Sequence, residues 1–208
     1  MADLWSSARL IYRGVDDEDE EFLGKLSGDP IAFLNIAPHI PSPRSKKTAT
    51  RLREQLQSPD FLIAAIICLP PPGEDAASTV DKAIDLSKDK EKPKPIPIGQ
   101  ITLRGEDIRN QHHRRCEIGI NILSSHQGKG YGTEAIKWAL RWGFKRANMH
   151  RIGIGAFAWN SDALRLYEKL GFVQEARKRD FFWHDGRYQD LVEMGMLEDE
   201  WRERYDSK

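Results

Sequence analysis

The chain has 208 residues, with 32 Lys+Arg against 32 Asp+Glu and a formal net charge of zero. That length suffices for one domain with a full core. The charge balance argues against a protein built to coat nucleic acid or an acidic membrane, since both favour a basic surface.

The opening stretch ARLIYRGV reads as a strand mixing apolar and basic residues. It runs into DDEDEEFLGKLSGDP, where acids precede a short helical pattern that stops near Gly28 and Pro30. The run Asp16–Glu21 reads as a solvated helix N-terminus favoured by the helix dipole; a surface attracting a cationic substrate is the other reading. A second helix falls within RSKKTATRLREQLQS. FLIAAIICL is a continuous apolar run of strand length, which fits a strand buried on both faces, although its alanines leave a helix open. Between Pro70 and Pro97 the composition turns to Pro, Lys and Asp. A surface insertion inside a hairpin connection is expected there, with one helical turn at Val80–Leu86. The strand IGQITLRG follows.

CEIGINIL alternates Glu117, Gly119 and Asn121 with Ile118, Ile120 and Ile122, the period of a strand. After a glycine turn, Thr133 to Arg146 carries apolar stripes at helical spacing, with Trp138 and Trp142 in the core. RIGIGAFA is another strand, and NSDALRLYEKLGF a short helix with Asn160 as N-cap and Gly171 as stop. FVQEARKRDFFW and YQDLVEMGML form a hairpin around a type I′ turn at Asp185-Gly186. Its Phe181, Phe182, Trp183 and Tyr188 line an acceptor pocket, meet a second copy in a homodimer, or pack the hairpin. His112 and His113, beside Arg114 and Arg115, lack an acidic or cysteine partner and read as a solvated strand entry; no metal site is expected. Cys68 and Cys116 sit in apolar runs and read as buried free thiols, as in a reducing compartment. No apolar run reaches the roughly 20 residues that span a bilayer, and MADLWSSARL lacks the features of a signal peptide. The expectation is a single cytoplasmic domain over 1–208 of α/β (α+β) class, with a mixed sheet and an insertion at about 70–97.

The chemistry starts at SSHQGKGYGTEA. A strand, a glycine-rich turn and a helix N-terminus together hold phosphate, because unpaired N–H groups converge where the helix dipole is positive. Lys129 is followed by Gly130, so the P-loop spacing fails. Gly128, Gly130 and Gly132 read G-x-G-x-G, with Thr133 where a dinucleotide fingerprint needs its last glycine.

Gln127-Gly128-Lys129-Gly130-Tyr131-Gly132 matches Q/R-x-x-G-x-G/A, and NSDALRLYEKLGF matches N-x-x-A-x-x-L-Y-x-x-x-G-F. With the closing FFWHDGRYQDLVEMGML, these segments resemble the GCN5-related N-acetyltransferases, in the branch of ribosomal-protein N-terminal and spermidine acetyltransferases. The resemblance runs from roughly Ile98 to Trp201. It implies a mostly antiparallel sheet flanked by helices, with a splayed strand pair that takes acetyl-CoA. The turn Gln127–Gly132 would hold the pyrophosphate through backbone N–H groups, with side-chain contacts from Lys129 and Thr133. The pantetheine arm would pair with backbone near Ile122 and Leu123, and Asn160 would contact it.

By the same resemblance Tyr167 is the general acid for the leaving thiolate; spacing alone would make it a core residue. Glu117 is the candidate base, on a strand face that either lines the cleft or meets solvent. A backbone N–H near Ile122 would steady the oxyanion. The implied activity is direct acetyl transfer in a ternary complex to a primary amine, either a polypeptide N-terminus or a small amine such as a polyamine. A non-catalytic acyl-CoA-binding domain is the alternative.

Overall fold

The apolar runs fix the sheet, and the computed structural model describes it over residues 4–41, 45–76 and 94–206. Its strands are β1 (Ile11–Arg13), β2 (Phe61–Leu69), β3 (Ile96–Arg104), β4 (Arg115–Ile122), β5 (Arg151–Phe157), β6 (Val173–His184) and β7 (Arg187–Leu197). The described helices are α1 (Glu20–Gly28), α2 (Pro30–Leu34), α3 (Lys46–Leu56), α4 (Tyr131–Lys145), α5 (Ser161–Leu170) and α6 (Glu198–Tyr205). The strand order is β1-β2-β3-β4-β5-β7-β6. Neighbours are antiparallel except β4 and β5, which run parallel and need the crossover that α4 supplies.

Two cores sit on the two faces. Ile118, Ile154 and Met194 pack against Ile136 and Leu140 of α4 and Leu170 of α5. On the other face, Ile66 and Cys68 meet Leu23 and Leu26 of α1 and Leu56 of α3. Ile67 belongs to the first core and Ile66 to the second, so this end of β2 is buried on both faces as its unbroken apolar run predicts. Cys68 and Cys116 are free and buried, and burial pushes their thiols up to about 11 and about 12. Both stay protonated at neutral pH and serve as packing.

Several local expectations hold. The Asn160 side chain accepts from Ala163 N–H at 3.2 Å, and Gly171 ends α5 at φ +99°. Asp185 and Gly186 both have positive φ, as a type I′ turn requires. Trp138 is buried and stacks on Tyr12 at 3.8 Å. His112 and His113 are exposed at the entry to β4. The helical turn expected at Val80–Leu86 lies outside the described residues.

Two features go beyond the sequence reading. The first helix ends at Gly28 as expected, but Pro30 starts a further helix, α2, because the Asp29 carboxylate accepts Ile31 and Ala32 N–H at 3.1 Å and caps it. The acids Asp16–Glu21 form no substrate-attracting surface along the cavity described below. Asp19 is buried against Arg13 at 2.6 Å, Arg53 holds Asp17 and Glu20 at 2.6 and 3.0 Å, and Lys94 holds Glu18 at 2.9 Å. The charges of Asp17, Glu18, Asp19 and Glu20 are answered within the fold.

Candidate active site

The site begins where two strands part. β4 and β5 pair through Arg115↔Arg151 to Ile118↔Ile154 and no further, while β4 continues to Ile122 along β3 and β5 to Phe157 along β7. Leu123 N–H donates to Ile98 O at 2.9 Å, which sets the ladder phase. Alternation then turns the N–H groups of Ile120 and Ile122 toward the gap. Leu123 itself has its N–H on Ile98 O, and its carbonyl accepts His126 N–H at 2.8 Å.

Below the gap lies the turn. Gly128 and Gly130 have φ of +72° and +82°, the left-handed region where a side chain is penalised. Gly130 caps α4 with no side-chain acceptor, so the N–H groups of Tyr131, Gly132 and Thr133 have no helical partner. With the roughly half positive charge of a helix N-terminus, these groups fit a phosphate chain. Gln127 Nε2 donates to Ile122 O at 2.8 Å and pins the turn to the end of β4. Lys129 departs from expectation: its ammonium folds back onto Ser125 O at 2.8 Å and is absent from the cavity wall.

A cavity of about 820 Å³ runs through the split sheet. On the α4–α5 side it is walled by Gly132, Thr133, Asn160, Leu166 and Tyr167, and on the opposite face by Thr102, Arg104, Glu117, Gly119, Asn121 and Gly155. Tyr167 is 6% exposed, and burial raises its phenol to about 12. Among the described residues its hydroxyl has no protein partner. Glu117 is exposed at the last paired turn of β4. A Cβ built on Gly155 would lie 3.8 Å from Glu117 Oε1, an ordinary contact, which puts that carboxylate beside Gly155 at the apex of the split. The strand face left open between cleft and solvent therefore lines the cleft. Ile122, Gln127, Gly128, Gly130 and Tyr131 also line it.

Sequence reasoning missed the parts that hold this site together. Arg9 bonds Glu134, in the first turn of α4, through its own N–H at 2.7 Å and its guanidinium at 2.8 Å, and reaches Lys129 O at 3.1 Å. Asp29 accepts Ser124 N–H at 2.8 Å, tying α2 to the turn. Asn35 and Ile36, just beyond α2, then reach the cavity beside Phe61. The one signal that could have been read is in IGQITLRG, whose period of two sets Gln100, Thr102 and Arg104 on one face.

The family model of the acetyltransferase (GNAT) domain matches residues 9–173. The chain belongs to that family. Within it, the chain is 38% identical over 95 residues to a spermidine N(1)-acetyltransferase of Vibrio cholerae, covering 46% of this chain and 55% of the relative. It is 32% identical over 103 residues to a putative ribosomal N-acetyltransferase of Bacillus subtilis, covering 50% of this chain and 55% of that one. The chain thus spans about half the length of the curated relatives it matches. The crystal structure of a Vibrio cholerae spermidine N-acetyltransferase in complex with CoA and spermine superposes with a TM-score of 0.69 at 25% identity, over 93% of this chain and 98% of that one. The GNAT fold is thus matched across the seven-stranded sheet. Among the described residues no helix is long and apolar enough to cross a membrane, and no group of three His, Cys, Asp or Glu could hold a metal.

Proposed function

We propose that this GNAT chain is a cytoplasmic N-acetyltransferase that moves the acetyl group of acetyl-CoA to a primary amine in a ternary complex. The carrying observation is the cavity through the split sheet, with Tyr167 in one wall and Glu117 in the other. The phosphate-fitting turn lies at the end of the same cavity. Kinship with proteins named as spermidine and ribosomal N-acetyltransferases supports an amine acceptor.

Each residue has one task. The N–H groups of Tyr131, Gly132 and Thr133 hold the pyrophosphate, and those of Ile120 and Ile122 orient the acyl arm and steady the carbonyl oxygen. Asn160, whose Oδ1 caps α5, has its amide nitrogen left for the pantetheine. Glu117 takes a proton from the incoming ammonium, which recovers a neutral amine from a form that is only about 0.1% of a simple amine at pH 7. The nitrogen lone pair forms the C–N bond and the C–S bond breaks. Tyr167 gives its proton to sulfur, and the proton the nitrogen then sheds restores the phenol. A phenol raised to about 12 is fully protonated at neutral pH, as a donor must be.

The test is release of free CoA from acetyl-CoA across polyamines, amino acids, amino sugars and short peptides, with wild type beside Tyr167→Phe. Turnover on an amine, with a Tyr167→Phe rate down about a hundredfold or more, is the expected result. Binding of acetyl-CoA without turnover on any amine would point to the acyl-CoA-binding alternative.

A further inference from the structure

The acceptor side of the cavity has a chemistry that the catalytic reading does not use. β3 and β4 pair Gln100↔Asn121, Thr102↔Gly119 and Arg104↔Glu117, and all six residues share the face turned away from α4. Thr102 and Asn121 are buried, 7% and 9% exposed, and both line the cavity. Gly119 lets the strands close over them, since a Cβ there would sit 2.8 Å from Thr102 Oγ1. The result is a polar floor that ends at Arg104 and Glu117.

Besides the phenols of Tyr131 and Tyr167, the charged or titratable groups in the cavity wall are Arg104, Glu117, His126 and Asp162. Asp162 is held by Arg165. Burial, together with Lys129 and Lys25, keeps the His126 imidazole below its ordinary value and therefore neutral at pH 7. Arg104 and Glu117 form no ion pair or side-chain hydrogen bond with each other or with any described residue. A neighbouring hollow of about 470 Å³ shares both residues. Its Glu106 and Glu193 are taken by Arg115 and Lys178 at 2.6 Å, Arg151 by Glu175, and Asp107 caps Arg109 N–H at 3.0 Å. Among the described residues the cavity thus offers one free cation beside one free anion, with Ile36, Phe61, Phe157 and Leu191 as an apolar side wall.

We infer that the acceptor is a zwitterion of amino-acid type: an amine delivered to Glu117, a carboxylate read by Arg104 and an apolar body against the side wall. This rests on the acetyltransferase reading. A polycation finds a repelling guanidinium here, and no excess of carboxylates to offset it. A guanidinium favours a planar carboxylate because its N–H groups match the two oxygens in parallel.

The closing experiment separates this from the catalytic proposal. Calorimetry on the full chain in the presence of CoA, which cannot react, compares L-phenylalanine, L-phenylalaninamide and spermidine; CoA release then compares their turnover. The amide keeps the ring and the α-amine but loses the carboxylate charge. Because its amine is then less basic, the two are compared at a pH low enough for both amines to be protonated. L-phenylalanine is expected to bind about tenfold or more tighter than its amide, the order of a charge-assisted pair. Arg104→Gln should erase that ratio while the amide binds as before. Arg104→Lys should restore part of it. Equal binding of acid and amide, a ratio that survives Arg104→Gln, or preferred binding of spermidine would overturn the inference. Absence of turnover despite that binding pattern would sink the catalytic reading alone.

Discussion

The Glu134 carboxylate, in the first turn of α4, holds Arg9 from a segment 125 residues away at 2.7 and 2.8 Å. Arg9 in turn lies over the Tyr131 ring at 4.8 Å and grips Lys129 O. The anion-binding turn is therefore clamped from outside by the N-terminal segment. Burial would raise the Glu134 carboxyl, but the hydrogen bonds from Ser7 and Arg9 outweigh it and hold it below its ordinary value. A carboxylate so lowered adds stability above its unfolded pKa of about 4.3 and loses it as pH falls through the folded value. Glu134→Gln should lower Tm at pH 7 and weaken CoA binding about fivefold, or about 1 kcal/mol. The Tm gap from wild type should close in acid. A gap that stayed constant from pH 7 to pH 3 would show that the charge is not what matters.

Tyr167 gives a second prediction. Its phenol is raised by burial to about 12, above the unfolded value near 10. The neutral form is thus favoured in the fold, with stability fully present below pH about 10 and lost as pH rises through the folded value. Tyr167→Phe should leave CoA affinity within about twofold, because the ring still packs in the core, and lower kcat by about two orders of magnitude. In wild type, kcat should show no loss from phenol ionisation up to pH 10. A loss of affinity with kcat unchanged would assign Tyr167 to binding alone.

These two residues show where legibility ends. The strands around CEIGINIL and RIGIGAFA, the Asn160 and Gly171 caps and the Asp185-Gly186 turn were readable, because periodicity, caps and turns are local. The turn from Gln127 to Gly132 and the tyrosine of the helix that follows Asn160 were readable through a motif. Side-chain direction was not. Lys129 turns to Ser125 O, and Leu123 uses both backbone groups inside the fold. Arg104 opposite Glu117 needed the β3–β4 register, which no single strand contains. Pairs such as Arg9–Glu134 and Asp29–Ser124 span 125 and 95 residues, and only the closed sheet brings them together.

Asp29 yields the third prediction. One oxygen caps α2 and the other accepts Ser124 N–H at 2.8 Å. Burial would raise its carboxyl, yet the bonds from Ser124, Ala32 and Ile31 hold it below the usual range. Asp29→Ala should cost about 1–2 kcal/mol, the size of a lost N-cap, read from the urea midpoint at pH 7. Because α2 carries Asn35 and Ile36 to the cavity, the acceptor KM should rise more than the acetyl-CoA KM. A loss of stability with both KM values unchanged would make Asp29 a cap and nothing else.

The last prediction concerns a close approach at the inner end of the cleft. Gly99 faces Ile122 across the β3–β4 ladder. A Cβ added there would lie 2.4 Å from Asn121 O and 3.1 Å from Ile122 Cα. Both are backbone atoms held in the ladder, so no rotamer change relieves the contact and the strands must part. Gly99→Ala should therefore destabilise by about 1–3 kcal/mol, the usual range for overpacking. It should also weaken CoA binding, since Ile122 carries an N–H that faces the gap and a carbonyl that pins Gln127. Gly14→Ala is the control, because nothing lies within 4 Å of a Cβ at that position. That change should stay within about 0.5 kcal/mol of wild type. If both substitutions shifted the urea midpoint equally, the close approach at Gly99 would not be the cause, since the lower backbone freedom that alanine gives the unfolded chain raises stability at either site. A shift confined to Gly99→Ala, with CoA affinity falling alongside, would tie the close packing of β3 on β4 to the geometry of the cleft.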